Sequence, residues 1–144
     1  MASVQNSNDP LLQPFSLGTR VVKNRIFSSG HALSHAVHGR ATETTLRYQM
    51  EKAKGGIGLS FVGGSGTVSV DTAPVFDQLI IDDHIVPFFE ELSAFFHQQG
   101  ALLMTQITHL GRRTNANAGL WVPIVAPSGT REILHRGFPR AMDE

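Results

Sequence analysis

The sequence predicts an α/β fold built on a parallel sheet, and three observations carry that expectation. Short extended runs recur at residues 26–28, 57–62 and 101–107. Between them lie two segments, 42–54 and 82–99, whose apolar residues repeat at helical spacing. Strands alternating with helices imply right-handed crossovers, and hence a parallel sheet. Each run also ends in small or polar positions: Ser28, Ser29, Gly30 and His31, then Gly63, Gly64, Ser65 and Gly66, then Gln106, His109, Gly111, Arg112 and Arg113. Apolar first and chemical last is the order found where ligands sit against the C-terminal ends of parallel barrel strands.

The elements follow in order. Residues 1–9 read as a flexible polar lead, and the structured chain begins at Pro10. Phe15 and Leu17, then Gly18, then Val21 and Val22 predict a hairpin. The extended piece 26–28 comes next, and residues 31–41 read as a long loop holding His31, His35 and His38. Thr42 is placed to cap a helix whose stripe is Leu46, Met50 and Ala53. Gly55 and Gly56 stop it, because glycine takes the left-handed cap cheaply. Residues 57–62 form an apolar run broken only by Gly58 and Ser60, the pattern of a strand buried on both faces.

A loop with Asp71, Pro74 and Asp77 leads to a second helix capped by Asp82 or Asp83, with Pro87 tolerated near its first turn. Its buried face is expected at Val86, Phe89, Leu92 and Phe96. Gly100 ends it, and residues 101–107 form the last strand. From Thr114 onward, Trp121 and the turn at Pro127, Ser128 and Gly129 predict a long ordered loop without regular elements.

Composition narrows the chemistry. A chain of 144 residues, 41% of them hydrophobic, is long enough to bury the core of one domain. Twelve basic side chains balance twelve acidic ones with no block of like charge, which argues against a nucleic-acid or membrane partner. With no cysteine, this stretch has no disulfides, thiolate nucleophiles or iron–sulfur ligands. The first residues lack a basic region followed by an apolar one, and no apolar run is long enough to span a bilayer. A soluble, cytoplasmic protein is expected.

Three constellations stand out. The glycines at 63, 64 and 66 would let a flat or anionic ligand approach the backbone, or would simply serve a loop with unusual dihedrals. They form no dinucleotide or triphosphate-binding motif. His31, His35 and His38 would meet one metal only on a helix, but Gly30 and Gly39 bracket them and no carboxylate lies between, so no metal site is expected. Gln106 offers two donors and an acceptor, suited to the imide or pyrimidine edge of a planar ligand. His109 and Arg112 would serve an anion or oxyanion, or a structural ion pair.

Larger motifs carry a resemblance. LLQPFSLGTRVVKNRIFSSGHA, YQMEKAKGGIGLSFVGG, TQITHLGRR and APSGTRE occur in that order across residues 10–140. Together they resemble the old yellow enzyme family of NADH:flavin oxidoreductases. The closest likeness is to its long branch of trimethylamine dehydrogenase, 2,4-dienoyl-CoA reductase and the demethylases of dimethylglycine and N-methylproline.

The resemblance implies an FMN-binding (β/α)8 TIM barrel whose floor the hairpin closes. The backbone of Ser29, Gly30 and His31 would lie against the flavin, Gly64 with Gly63 beside it would make room for the ring, and Gln106 would bond its pyrimidine end. His109 and Arg112 would support from behind. Ala32 stands where trimethylamine dehydrogenase has its flavin-linking cysteine, which implies non-covalent FMN.

A complete barrel takes about 250 residues, so residues 10–144 are expected to form a partial (β/α)8 barrel: the hairpin and about three βα units. The family's substrate-binding pair, phosphate loops and iron–sulfur cysteines are expected beyond Glu144, and no catalytic residue is assigned here. The implied reaction is hydride transfer between a substrate carbon and flavin N5. The favoured substrate is an N-methylated amine or amino acid, with reduction of an activated C=C bond as the alternative. NAD(P)H is a candidate electron partner. Two open sheet edges imply either an inactive fragment or cover by the missing barrel half or a homo-oligomer.

Overall fold

The computed structural model describes residues 8–69, 72, 79–114, 123–134 and 137–143. Asp71, Pro74, Asp77 and Trp121 lie outside the described residues, as do residues 1–7 of the expected lead. Asp9 belongs to the ordered part: its carboxylate accepts the Leu11 N–H at 2.9 Å and caps a 3-10 turn at Pro10–Leu12.

The hairpin forms as expected, with β1 (Phe15–Leu17) antiparallel to β2 (Arg20–Val22). The main sheet is β3 (Phe27–Ser28), β4 (Leu59–Gly66) and β5 (Leu102–Ile107), parallel and in that order. Phe27 pairs with Leu59, and Leu59 with Leu102. The strand ends therefore emerge side by side. The glycine cluster is not a loop after β4, as the sequence implied. Gly66 pairs with Ile107 across a bulge that follows Val62, and Thr108 N–H donates to Gly66 O at 2.8 Å. Pairing of Gly66 with β5 carries the strand on past the bulge at Gly63 and Gly64, although glycines have no side chains to signal it.

Helix α1 (Glu43–Lys54) begins at Thr42, whose Oγ1 accepts the Thr45 N–H at 3.3 Å while Thr45 Oγ1 accepts the Thr42 N–H at 3.4 Å. Leu46 and Ala53 are buried, as the spacing predicted. Its end differs by one residue: Gly55 is right-handed (φ −65°), and Gly56 (φ +91°) takes the left-handed position.

Helix α2 (Val86–Gln98) opens on a 3-10 turn at Asp83–Ile85. That tighter turn rotates the start of the helix, so Ile85 is buried (5% exposed) while Val86, expected in the core, is 47% exposed. Leu92 and Phe96 are fully buried as expected, each stabilising by roughly 1.5–3 kcal/mol. Past a 3-10 turn at Gly111–Arg113, the stretch expected to be a loop from Thr114 does carry a parallel pair, β6 (Val125–Ala126) and β7 (Arg140–Ala141). Strands of two residues are too short to show a period.

The core lies between the sheet and the two helices, around Leu46, Ala53, Val62, Leu92, Phe96 and Ala101. The opposite face of the sheet is bare, with Phe27 61% and Met104 43% exposed. The hairpin runs into the N-terminal strand ends: Asn24 Nδ2 donates to Gly56 O and Lys23 Nζ to Gln99 O, both at 2.7 Å. It covers the floor, so the opposite end is the mouth. No described helix is long and apolar enough to cross a membrane.

Candidate functional site

At the mouth the three strand ends converge. A Cβ on Gly30 would collide with Gln106 Oε1 and lie 2.6 Å from Gly63 O. A Cβ on Gly64 would lie 2.5 Å from Ala32 N and 2.6 Å from the His31 carbonyl carbon. The space expected for a ligand at Gly64 is thus taken by the chain itself, where β4 presses on the His31–Ala32 peptide. Gly63 is different: its Cβ position is open, and its φ of +74° is what calls for glycine.

Phe27, Ser29, Gly30, Phe61, Thr105 and Gln106 line an open cleft of about 460 Å³. The Phe27 and Phe61 rings meet edge to face with centroids 6.4 Å apart. Gln106 is exposed at the end of β5, and no hydrogen bond joins its carboxamide to another described residue. Two donors and an acceptor therefore face the cleft.

Behind the cleft, His31 Nδ1 lies 3.1 Å from Ser29 O and His31 Nε2 lies 3.0 Å from the Tyr48 hydroxyl. Lys52 Nζ sits 4.7 Å from the Tyr48 ring centroid and donates to Ser28 Oγ at 3.0 Å. Burial lowers the Lys52 pKa. The apolar stripe of α1 does not reveal Tyr48 and Lys52, which stand on the same helix. Their spacing of four residues, on the helix before a loaded strand end, was the available signal.

The three histidines do not converge. His31 and His35 each meet Tyr48 edge on, and His38 (φ +50°) sits in a tight turn closed by Val37 and Arg40. Among the described residues no group of three or more His, Cys, Asp or Glu could hold a metal. His109 Nδ1 accepts the Gly111 N–H at 3.0 Å. Arg112 is exposed and forms no ion pair with a described residue, so the structural pair anticipated for it is not formed among them. Neither lines the cleft.

The architecture defines the class: parallel barrel strands in a helical layer, floored by a hairpin and loaded at their C-terminal ends. Residues 10–138 match the sequence profile of the NADH:flavin oxidoreductase / NADH oxidase family, and the chain belongs to that family. It is 42% identical over 138 residues to a probable N-methylproline demethylase of Rhizobium meliloti and 46% identical over 139 residues to a multifunctional alkene reductase/demethylase of Caballeronia cordobensis. Those matches cover 95% and 96% of this chain but 20% and 21% of the relatives, so the chain spans about a fifth of their length. The solved old yellow enzyme homologue of Zymomonas mobilis superposes with a TM-score of 0.77 at 22% identity, over 92% of this chain and 39% of that one. The fold is thus part of a (β/α)8 barrel.

Proposed function

We propose that residues 10–144 are the N-terminal part of an FMN-binding barrel domain in an oxidoreductase. The observation that carries this reading is Gln106, whose carboxamide stands unbonded to any described residue at a strand mouth, over a cleft roomy enough for a planar ring. The residues present fit non-covalent FMN. Gln106 binds the pyrimidine edge, the backbone of Ser29, Gly30 and His31 flanks the ring, and Phe27 and Phe61 form an apolar wall beside it. Gly63 and Gly64 let the strand ends close up around that wall, and Ala32 offers no thiol for a covalent link. His109 and Arg112 act outside the cleft. When bound, the flavin supplies the redox chemistry, a hydride passing between substrate carbon and N5.

The favoured small-molecule substrate is an N-methylated amine or amino acid, oxidised to an iminium that water converts to formaldehyde and the shorter amine. Likeness to a probable N-methylproline demethylase supports it. Reduction of an activated C=C bond is the second reading, supported by the alkene reductase named among the relatives. NAD(P)H serves as the electron partner in that direction. Iron–sulfur ligands are not supplied by these cysteine-free residues.

The test uses the protein that carries this sequence within a whole barrel. It should purify yellow, and Gln106→Ala should weaken FMN binding by about 1–3 kcal/mol in a fluorescence titration. Unchanged affinity would remove the central assignment. Formaldehyde release from an N-methylated amino acid, against flavin-coupled reduction of an enoyl thioester, separates the two substrate readings.

A further inference from the structure

We propose that Tyr48 is a positioning residue that acts through the His31 ring to hold the Ser29–His31 backbone in the shape the cleft requires. The inference rests on the flavin reading above and adds a residue outside the cleft to it. Its basis is the chemistry of one ring. Ser29 O is a carbonyl and only accepts, so the hydrogen bond at 3.1 Å places a proton on His31 Nδ1. In the neutral imidazole, Nε2 then carries the lone pair and takes the Tyr48 O–H at 3.0 Å. His31 thereby ties its own backbone, two residues upstream, to helix α1.

A second tie runs in parallel. Lys52, one turn beyond Tyr48, lies over the Tyr48 ring and donates to Ser28 Oγ on β3. From the other side, the Gly64 backbone presses on the His31–Ala32 peptide, too close for any Cβ. The exit of β3 is thus gripped between α1 and β4. Ser29 and Gly30, which line the cleft, sit in the gripped segment. Core packing alone does not account for the hydroxyl: Tyr48 is 38% exposed, and its O–H ends on a loop histidine.

Tyr48→Phe keeps the ring, and with it the Lys52 and His35 contacts, and removes only the hydroxyl. In the FMN-loaded protein with its whole barrel, the loss of one hydrogen bond should weaken FMN binding about fivefold by fluorescence titration. The visible circular dichroism of the bound flavin should change, and the His31 Nε2 nitrogen-15 shift should move as its donor is lost. The apoprotein melting temperature should stay at the wild-type value. Unchanged FMN affinity and dichroism, with Gln106→Ala still weakening binding, would overturn the role of Tyr48 and leave the flavin reading standing. A fall in apoprotein stability matching the loss of affinity would reduce Tyr48 to a structural residue and also overturn it. Wild-type protein that holds no FMN would overturn both.

Discussion

Gly64 shows how a residue correctly marked as special can be special for another reason. Glycines crowd the end of the second strand, where they suit either a ligand or a loop with unusual dihedrals. The structure fills the space with the His31–Ala32 peptide, which no Cβ would permit. Gly64→Ala should therefore destabilise by about 1–3 kcal/mol, as overpacking against backbone does, measured by urea unfolding. A neutral substitution would mean that β3 and β4 do not meet so closely. Gln106 was legible because it ends an apolar run. That its carboxamide oxygen lies over Gly30 was not, since the two are 76 positions apart in sequence and meet only in the sheet.

Both helices follow their apolar spacing, and Thr42 caps α1 as expected, but the start of α2 departs from its pattern. Apolar spacing located α2, but the 3-10 turn ahead of it placed Ile85 rather than Val86 in the core. Asp82 works across elements, capping that turn through the His84 N–H at 3.1 Å and binding Arg40 of the loop before α1 at 2.6 and 2.8 Å. Its hydrogen bond to Arg40 holds the carboxyl below its ordinary value of 3.8. A carboxyl whose pKa is depressed in the folded state contributes stability above its unfolded value and loses it as pH falls through the folded one. The loop at residues 37–40 should thus exchange amide hydrogens faster as pH drops below about 4, after correction for intrinsic rates. Asp82→Asn should remove that acid-dependent step; a step of equal size in the variant would assign it to another group.

For the molecule as a whole, the sheet has one finished face and one unfinished one. Helices α1 and α2 cover the first, while Phe27 and Met104 stand exposed on the second. β3 and β5 are both edge strands, and exposed edges with apolar side chains recruit other chains. Expressed alone, the 144 residues should self-associate and bind a hydrophobic dye, and the same residues within a whole barrel should not. A monomeric, dye-silent chain on size-exclusion chromatography would show that this face needs no cover.

By itself the sequence determined the order of strands and helices as far as β5, the hairpin at the start and the polar or glycine-rich strand ends, because these follow from local periodicity and from glycine placement. Its motifs also pointed to the family that the profile match shows. Only the tertiary structure decided that β4 runs on through its glycines, that Gly64 faces the chain rather than open space, and that Tyr48 reaches His31. Those depend on parallel register and on helix-to-strand packing, which join residues far apart in the chain and leave no period within it.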